Sequence, residues 1–132
     1  MGNTSSIVSQ YVSYEDVQEI IKNKRCILIN TLFVDEQSCL IKNTLSIDKE
    51  IQSMNKLLDT LDYDKICIYG KNYMDVKINT KYEQLQSLGL KKVYIYGGGL
   101  FEWLLLQDIY GDEEFPTTSK DLDILKYRPI RR

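Results

Sequence analysis

Three cysteines, Cys26, Cys39 and Cys67, are the thiols with which this chain could do nucleophilic chemistry, and the sequence contains no histidine. That absence removes Ser-His-Asp and Cys-His nucleophile pairs, the His-Glu-x-x-His zinc site and most catalytic zinc. The cysteines are odd in number and none has Cys-x-x-Cys spacing, which argues for a reducing compartment and against a disulfide framework. Cys67 lies inside the apolar run Ile66-Cys67-Ile68-Tyr69. A thiol buried among such neighbours has a raised pKa and is inert, so a structural role is favoured over a nucleophilic one. Cys26 and Cys39 have no stronger claim.

The segment after that run, Gly70-Lys71-Asn72-Tyr73-Met74-Asp75, is a candidate of another kind. A turn between a strand and a helix directs backbone N–H groups at an anion, aided by the helix dipole, and Lys71 would add charge. Asp75 at the start of the helix would compete with such an anion and serves as an N-cap, so an ordinary capped turn is the favoured reading. Gly97-Gly98-Gly99 lacks the G-x-G-x-x-G spacing of a dinucleotide fingerprint and reads as a structural turn. Glu102, Asp108, Asp112, Glu113 and Glu114 have no spacing that points to a metal or an acid–base pair. Neither a metal nor a cofactor is expected.

At the amino terminus, Met1-Gly2-Asn3-Thr4-Ser5-Ser6 fits the Met-Gly-x-x-x-Ser/Thr pattern for N-myristoylation of Gly2. One myristoyl chain binds membrane only marginally, with K on the order of 10⁴ M⁻¹, so a second signal is needed. Ile7 to Tyr11 carries no basic residue; Lys126, Arg128, Arg131 and Arg132 in the tail form the nearest basic cluster.

These residues have to be positioned by a chain of 132 residues, the size of one domain with one real hydrophobic core. Its 43% hydrophobic and 27% charged content is that of a soluble globular protein, and a net charge of −2 gives no pull toward nucleic acid. No apolar run reaches the roughly 18 to 20 residues of a bilayer span, and no signal peptide is read. The ten tyrosines are scattered, which is compatible with an interaction surface without locating one.

Residues 1–12 are read as a flexible segment. Ser13 then caps a helix with Asp16 at the capping-box position and Val17, Ile20 and Ile21 on one face. Cys26 to Ile29 reads as a strand buried on both faces, and Cys39 to Thr44 as a second short strand. A helix from Asp48 to Leu58 turns Ile51, Met54, Leu57 and Leu58 inward. Ile66 to Tyr69 is another strand. Val76 to Leu88 reads as a helix with Ile78, Tyr82, Leu85 and Leu88 inward and Gly89 at C′. Val93 to Tyr96 is a strand, and Leu100 to Ile109 an apolar helix carrying Trp103. Strands alternating with helices predict an α/β domain with a mostly parallel central sheet of about five strands, covered on both faces.

On these residues the sequence resembles the rhodanese-like family of sulfurtransferases. The resemblance is carried by Lys65 to Gly70, by Leu85-Gln86-Ser87-Leu88-Gly89, by Val93 to Gly99 and by Trp103, with Arg25 to Leu32 and Leu40 to Thr44 matching less closely. It spans Ser13 to Tyr110, leaving an extension from about residue 111. More narrowly, Gly99 to Gly111 followed by Phe115-Pro116-Thr117-Thr118 resembles a divergent, catalytically degenerate subgroup found in protists and some large DNA viruses. The resemblance implies a three-layer rhodanese-like domain over residues 13–132.

The departures carry the functional expectation. The family's catalytic cysteine aligns with Gly70, the aspartate of its early strand with Asn30, the following arginine with Leu32 and its histidine with Leu40. Without a loop thiolate nothing holds a persulfide or attacks a phosphoryl group. A non-catalytic module that docks on an unidentified protein partner is therefore expected, cytoplasmic, with membrane contact through an acylated Gly2. Two alternatives stay open: a thiol enzyme using Cys67, and a small-anion-binding regulator using residues 70–75.

Overall fold

The computed structural model describes residues 10–130; Gly2 with its acylation pattern, and Arg131 and Arg132 of the basic tail, lie outside the described residues. In chain order the elements are β1 (Tyr11–Val12), α1 (Tyr14–Lys22), β2 (Cys26–Asn30), α2 (Glu50–Thr60), β3 (Lys65–Tyr69), α3 (Lys77–Ser87), β4 (Val93–Tyr96) and α4 (Gly99–Tyr110). Short 3₁₀ turns occupy Val34–Glu36, Ile47–Lys49 and Ile124–Tyr127. The four strands form one sheet in the order β1-β4-β3-β2, every neighbouring pair parallel.

Alternation along the strands splits the core into two layers. Leu28, Cys67, Tyr69 and Tyr96 face α1, α4 and the carboxyl-terminal segment, where Val17, Trp103, Phe115 and Tyr127 are buried. Ile29, Ile66, Ile68 and Ile95 face α2 and α3, against Met54, Leu57, Ile78 and Leu85. Helices on both faces leave the strands largely apolar, with Lys65 at the start of β3 and Asn30 at the end of β2 as the exceptions.

Local signals act where they were read. The Asp16 carboxylate accepts from the Ser13 N–H at 2.8 Å and closes the first turn of α1. Gly89, at φ +96°, ends α3 in a Schellman turn in which its N–H donates to the Gln86 carbonyl and the Leu90 N–H to the Leu85 carbonyl.

Several expectations give way. Residues 11 and 12, read as part of a flexible segment, form β1, and the Ile95 N–H donates to the Gln10 carbonyl at 2.8 Å. The sheet has four strands among the described residues rather than about five, because Cys39 to Thr44 does not extend. Asn43 turns there at φ 69°, so that only two single bridges form, Leu28 with Thr44 and Ile41 with Thr117. Ile51 and Leu88, read as inward, stand 78% and 49% exposed. Leu90, just past the glycine turn, takes the buried place instead.

The segment after α4 is part of this core. Trp103 is fully buried, its indole N–H donates to the Pro116 carbonyl at 3.1 Å, and the Phe115 ring meets it edge-on at 5.0 Å. Gln107 donates to the Phe115 carbonyl and the Thr118 N–H to the Leu40 carbonyl. Phe115→Ala should therefore cost about 3–5 kcal/mol, read as a lower urea midpoint at unchanged slope.

Candidate functional site

In open parallel sheets the place for chemistry is the crevice beyond the carboxyl ends of the strands. Here that crevice is built from the loop after β3, the turn before α4, the end of β2 and the carboxyl-terminal 3₁₀ turn. The loop lies directly on α4: the Gly70 carbonyl accepts from the Leu100 N–H at 2.9 Å and the Lys71 carbonyl from the Phe101 N–H at 3.0 Å. Gly99 permits this approach. Its φ is +67°, and a Cβ there would stand 2.7 Å from the Gly70 oxygen.

The interior of the loop is filled by Asp75. One carboxylate oxygen, Oδ2, accepts from the Thr31 hydroxyl at 2.9 Å and from the Lys71 N–H at 3.3 Å. The other, Oδ1, accepts from the Lys77 N–H at 3.0 Å, an Asx turn that leads into α3 one residue ahead of its N-cap, Val76. A Cβ added to Gly70 would lie 2.5 Å from Oδ2 and 2.9 Å from the Asp75 Cβ, so the position has no room for a side chain while Asp75 holds this place.

Two further contacts cover the loop from outside. The Lys71 ammonium pairs with Glu36 at 2.7 Å, which ties the loop to the turn after β2. Partial burial works to raise the Glu36 carboxyl, but hydrogen bonds from Lys71 and the Phe33 amide, with the charges of Lys71 and Lys77, outweigh it and hold the group below its ordinary value. Asn72 is buried, donates to the Tyr127 carbonyl at 2.9 Å and accepts from the Met74 N–H. Tyr127 is itself buried and its hydroxyl donates to Asp121, which also pairs with Lys126. Tyr73, at the tip of the loop, is 73% exposed.

Asn30, Leu32 and Leu40, where the resemblance aligns polar residues, are all buried. Asn30 exchanges amide hydrogen bonds with Gln37 at 2.8 and 3.0 Å and accepts from the Leu32 N–H. Leu32 and Leu40 pack in the core beside Tyr69. The Tyr69 hydroxyl accepts from the Ile41 N–H and shares a 2.7 Å hydrogen bond with Thr44, which satisfies it in a fully buried position.

The thiols lie apart from this crevice. Cys67 is fully buried within β3, and burial pushes its thiol up to about 12, against the opposing effect of a hydrogen bond with the Tyr96 backbone. Cys39 donates to the Ser119 carbonyl at 3.3 Å, and burial raises its pKa as well. Cys26 is half-buried and raised first by burial, then by Asp64. Gly98 repeats the pattern of Gly70: a Cβ there would run into the Glu102 carboxylate, which accepts from the Tyr96 hydroxyl at 2.6 Å. Among the described residues no three His, Cys, Asp or Glu side chains gather as a metal site, and no helix is long and apolar enough to cross a membrane.

Sequence reading thus located the loop and put Asp75 at the entrance of α3, one residue before the N-cap that Val76 occupies, whereas Thr31, Glu36, Gln37 and Tyr127 had no local signal. Thr31 meets Asp75, Glu36 meets Lys71 and Tyr127 meets Asn72 across 44, 35 and 55 residues, and pairing at that range leaves no mark in spacing. Gln37 bonds Asn30 only seven residues away, but an amide pair carries no periodic signal.

No family model and no curated protein matches the chain by sequence. Solved structures do match its fold. A yeast protein tyrosine phosphatase of the rhodanese family is 14% identical, covering 89% of this chain and 96% of that one at a TM-score of 0.60. The rhodanese-like domain of the Anabaena protein Alr3790 is 17% identical over 93% and 92%, at 0.55. The As–Sb reductase of Leishmania major is 22% identical over 77% and 79%, at 0.54. The chain has the rhodanese-like α/β fold, with its sheet of four parallel strands flanked by four helices.

Gly70→Cys alone should lower stability by at least about 1–3 kcal/mol, the cost of forcing extra atoms into a filled site. The same change paired with Asp75→Gly should recover part of that loss, since the obstructing side chain is gone. Urea denaturation of the wild type and the two variants checks this; equal losses for the single and double changes would show that Asp75 is not the obstacle.

Proposed function

We propose that this chain is a non-catalytic rhodanese-like module that docks on a protein partner, with membrane contact supplied by an acylated Gly2. The observation that carries the reading is the Asp75 carboxylate beneath Gly70, at the position where the resemblance puts a reactive sulfur. A thiolate there needs both space and inward-facing amides. The space is taken, and the Lys71 amide is already bound to a carboxylate.

The alternative enzyme would have to use Cys67. A thiol with no exposure and a pKa pushed up to about 12 is almost wholly protonated near neutrality and out of reach of a substrate. The yeast phosphatase and the Leishmania reductase are enzymes by name, and at their identities they speak for the fold alone. The anion-regulator alternative meets the same carboxylate, which would repel a second anion in the loop.

Purified protein should transfer no sulfur from thiosulfate to cyanide, hydrolyse no p-nitrophenyl phosphate and reduce no arsenate with a thiol reductant. Cys67-dependent turnover, lost in Cys67→Ser, is the result that sinks the reading. Phosphate or thiosulfate should leave the melting temperature unchanged, because only a ligand that binds the folded state raises it.

The lipid part is tested separately. Lys126 is committed to Asp121, so the tail offers membrane less charge than its composition implies. Labelling with a myristate analogue should mark the wild-type chain and not Gly2→Ala, and equal labelling of the two would remove the anchor while leaving the docking module standing.

A further inference from the structure

On the sheet face covered by α2 and α3, an open groove of about 660 Å³ runs between those helices. Met54 and Leu85 line it as buried residues, while Val34, Ile51 and Leu88 stand around it at 80%, 78% and 49% exposure. Large aliphatic side chains grouped around one groove add little to the fold while they face water, and such grouping marks an interaction surface.

The charges of the groove are unevenly matched. Lys81 on α3 pairs with Glu50 on α2. Lys71, near the end where α3 begins, is taken by Glu36. Lys77 forms no ion pair among the described residues, and its ammonium rests 3.5 Å from the centre of the Phe33 ring. An apolar trough thus ends in a cation that rests on an aromatic ring and is held by no carboxylate within ion-pair distance among the described residues.

We propose that this groove receives an amphipathic helix of a protein partner, apolar along one face and carrying a carboxylate that meets Lys77. The inference rests on the docking reading above and names its surface and the chemistry of its occupant. Shape favours a helix over a small molecule: small-ligand sites enclose most of their ligand, whereas these rim residues are largely open. Two helices of 11 residues each give a trough about 16 Å long, three turns of a docked helix with anchors at i, i+4 and i+7. Charge favours a partner over a second copy, because the carboxylate this face owns, Glu50, is already spent on Lys81 and a copy would bring its own Lys77.

The test uses two synthetic helical peptides with leucines at i, i+4 and i+7, identical except for Glu or Lys in the first turn, titrated into the full chain by fluorescence anisotropy. Wild-type protein should bind the Glu peptide about two- to fivefold tighter than the Lys peptide, the range of one exposed ion pair. Lys77→Glu should reverse that preference. Ile51→Lys, at an exposed position, should weaken both peptides at least about tenfold while the melting temperature stays the same. No binding, equal binding of the two peptides, or undiminished binding by Ile51→Lys overturns the inference. So does an Ile51-dependent dimer in sedimentation velocity, or Ile51-dependent partition onto phosphatidylcholine–phosphatidylserine vesicles. Turnover in the assays above would instead overturn the non-catalytic reading, whatever the peptides do.

Discussion

The structure depends on the close backbone approach between the loop after β3 and the turn that starts α4. Gly99 has the left-handed backbone and the missing Cβ that let the Gly70 carbonyl reach the Leu100 amide. That contact sets where α4 begins and so puts Trp103 over the sheet. Phe115 and Pro116 pack and hydrogen-bond on Trp103, the chain then returns across the molecule, and Tyr127 accepts from Asn72 in the same loop. The connections form a closed circuit running from the loop, through the helix and the carboxyl-terminal segment, back to the loop. A change at one of its members is felt at the others, since contacts sharing partners are not independent.

Electrostatics follow from this geometry. A turn that could offer amides to an external anion contains a carboxylate of its own, held by a hydroxyl from β2's end and by backbone donors on either side. The neighbouring glycine turn does the same with Glu102 and the Tyr96 hydroxyl. Asp75 has three donors around its carboxylate and Glu102 one, so these half-buried charges are hydrogen-bonded.

What the sequence made readable was whatever depends on near neighbours. The alternation of apolar runs with helical stripes led to the parallel sheet, Gly89 marked the end of α3, and Asp75 announced its start. The misreadings share one cause. Ile51 and Leu88 sit on the apolar stripes of their helices, and periodicity identifies a stripe without saying whether anything covers all of it. Cys39 to Thr44 has the composition of a strand, but Asn43 enters the left-handed region and donates to the Ile21 carbonyl, which turns the chain away from β2. The carboxylate beneath Gly70 was half legible: its bond to the Lys77 amide spans two residues, while its bond to Thr31 spans 44.

The pairing of Gly70 with Asp75 also has a historical side. Two of the four glycine codons lie one base from a cysteine codon. The packing makes that single step uphill, and removing the acid first takes away the bonds it accepts from Thr31 and from the Lys77 amide at the start of α3. Neither order of events is smooth. Positions 70 and 75 are therefore bound to each other, and neither can be exchanged without reckoning with its counterpart.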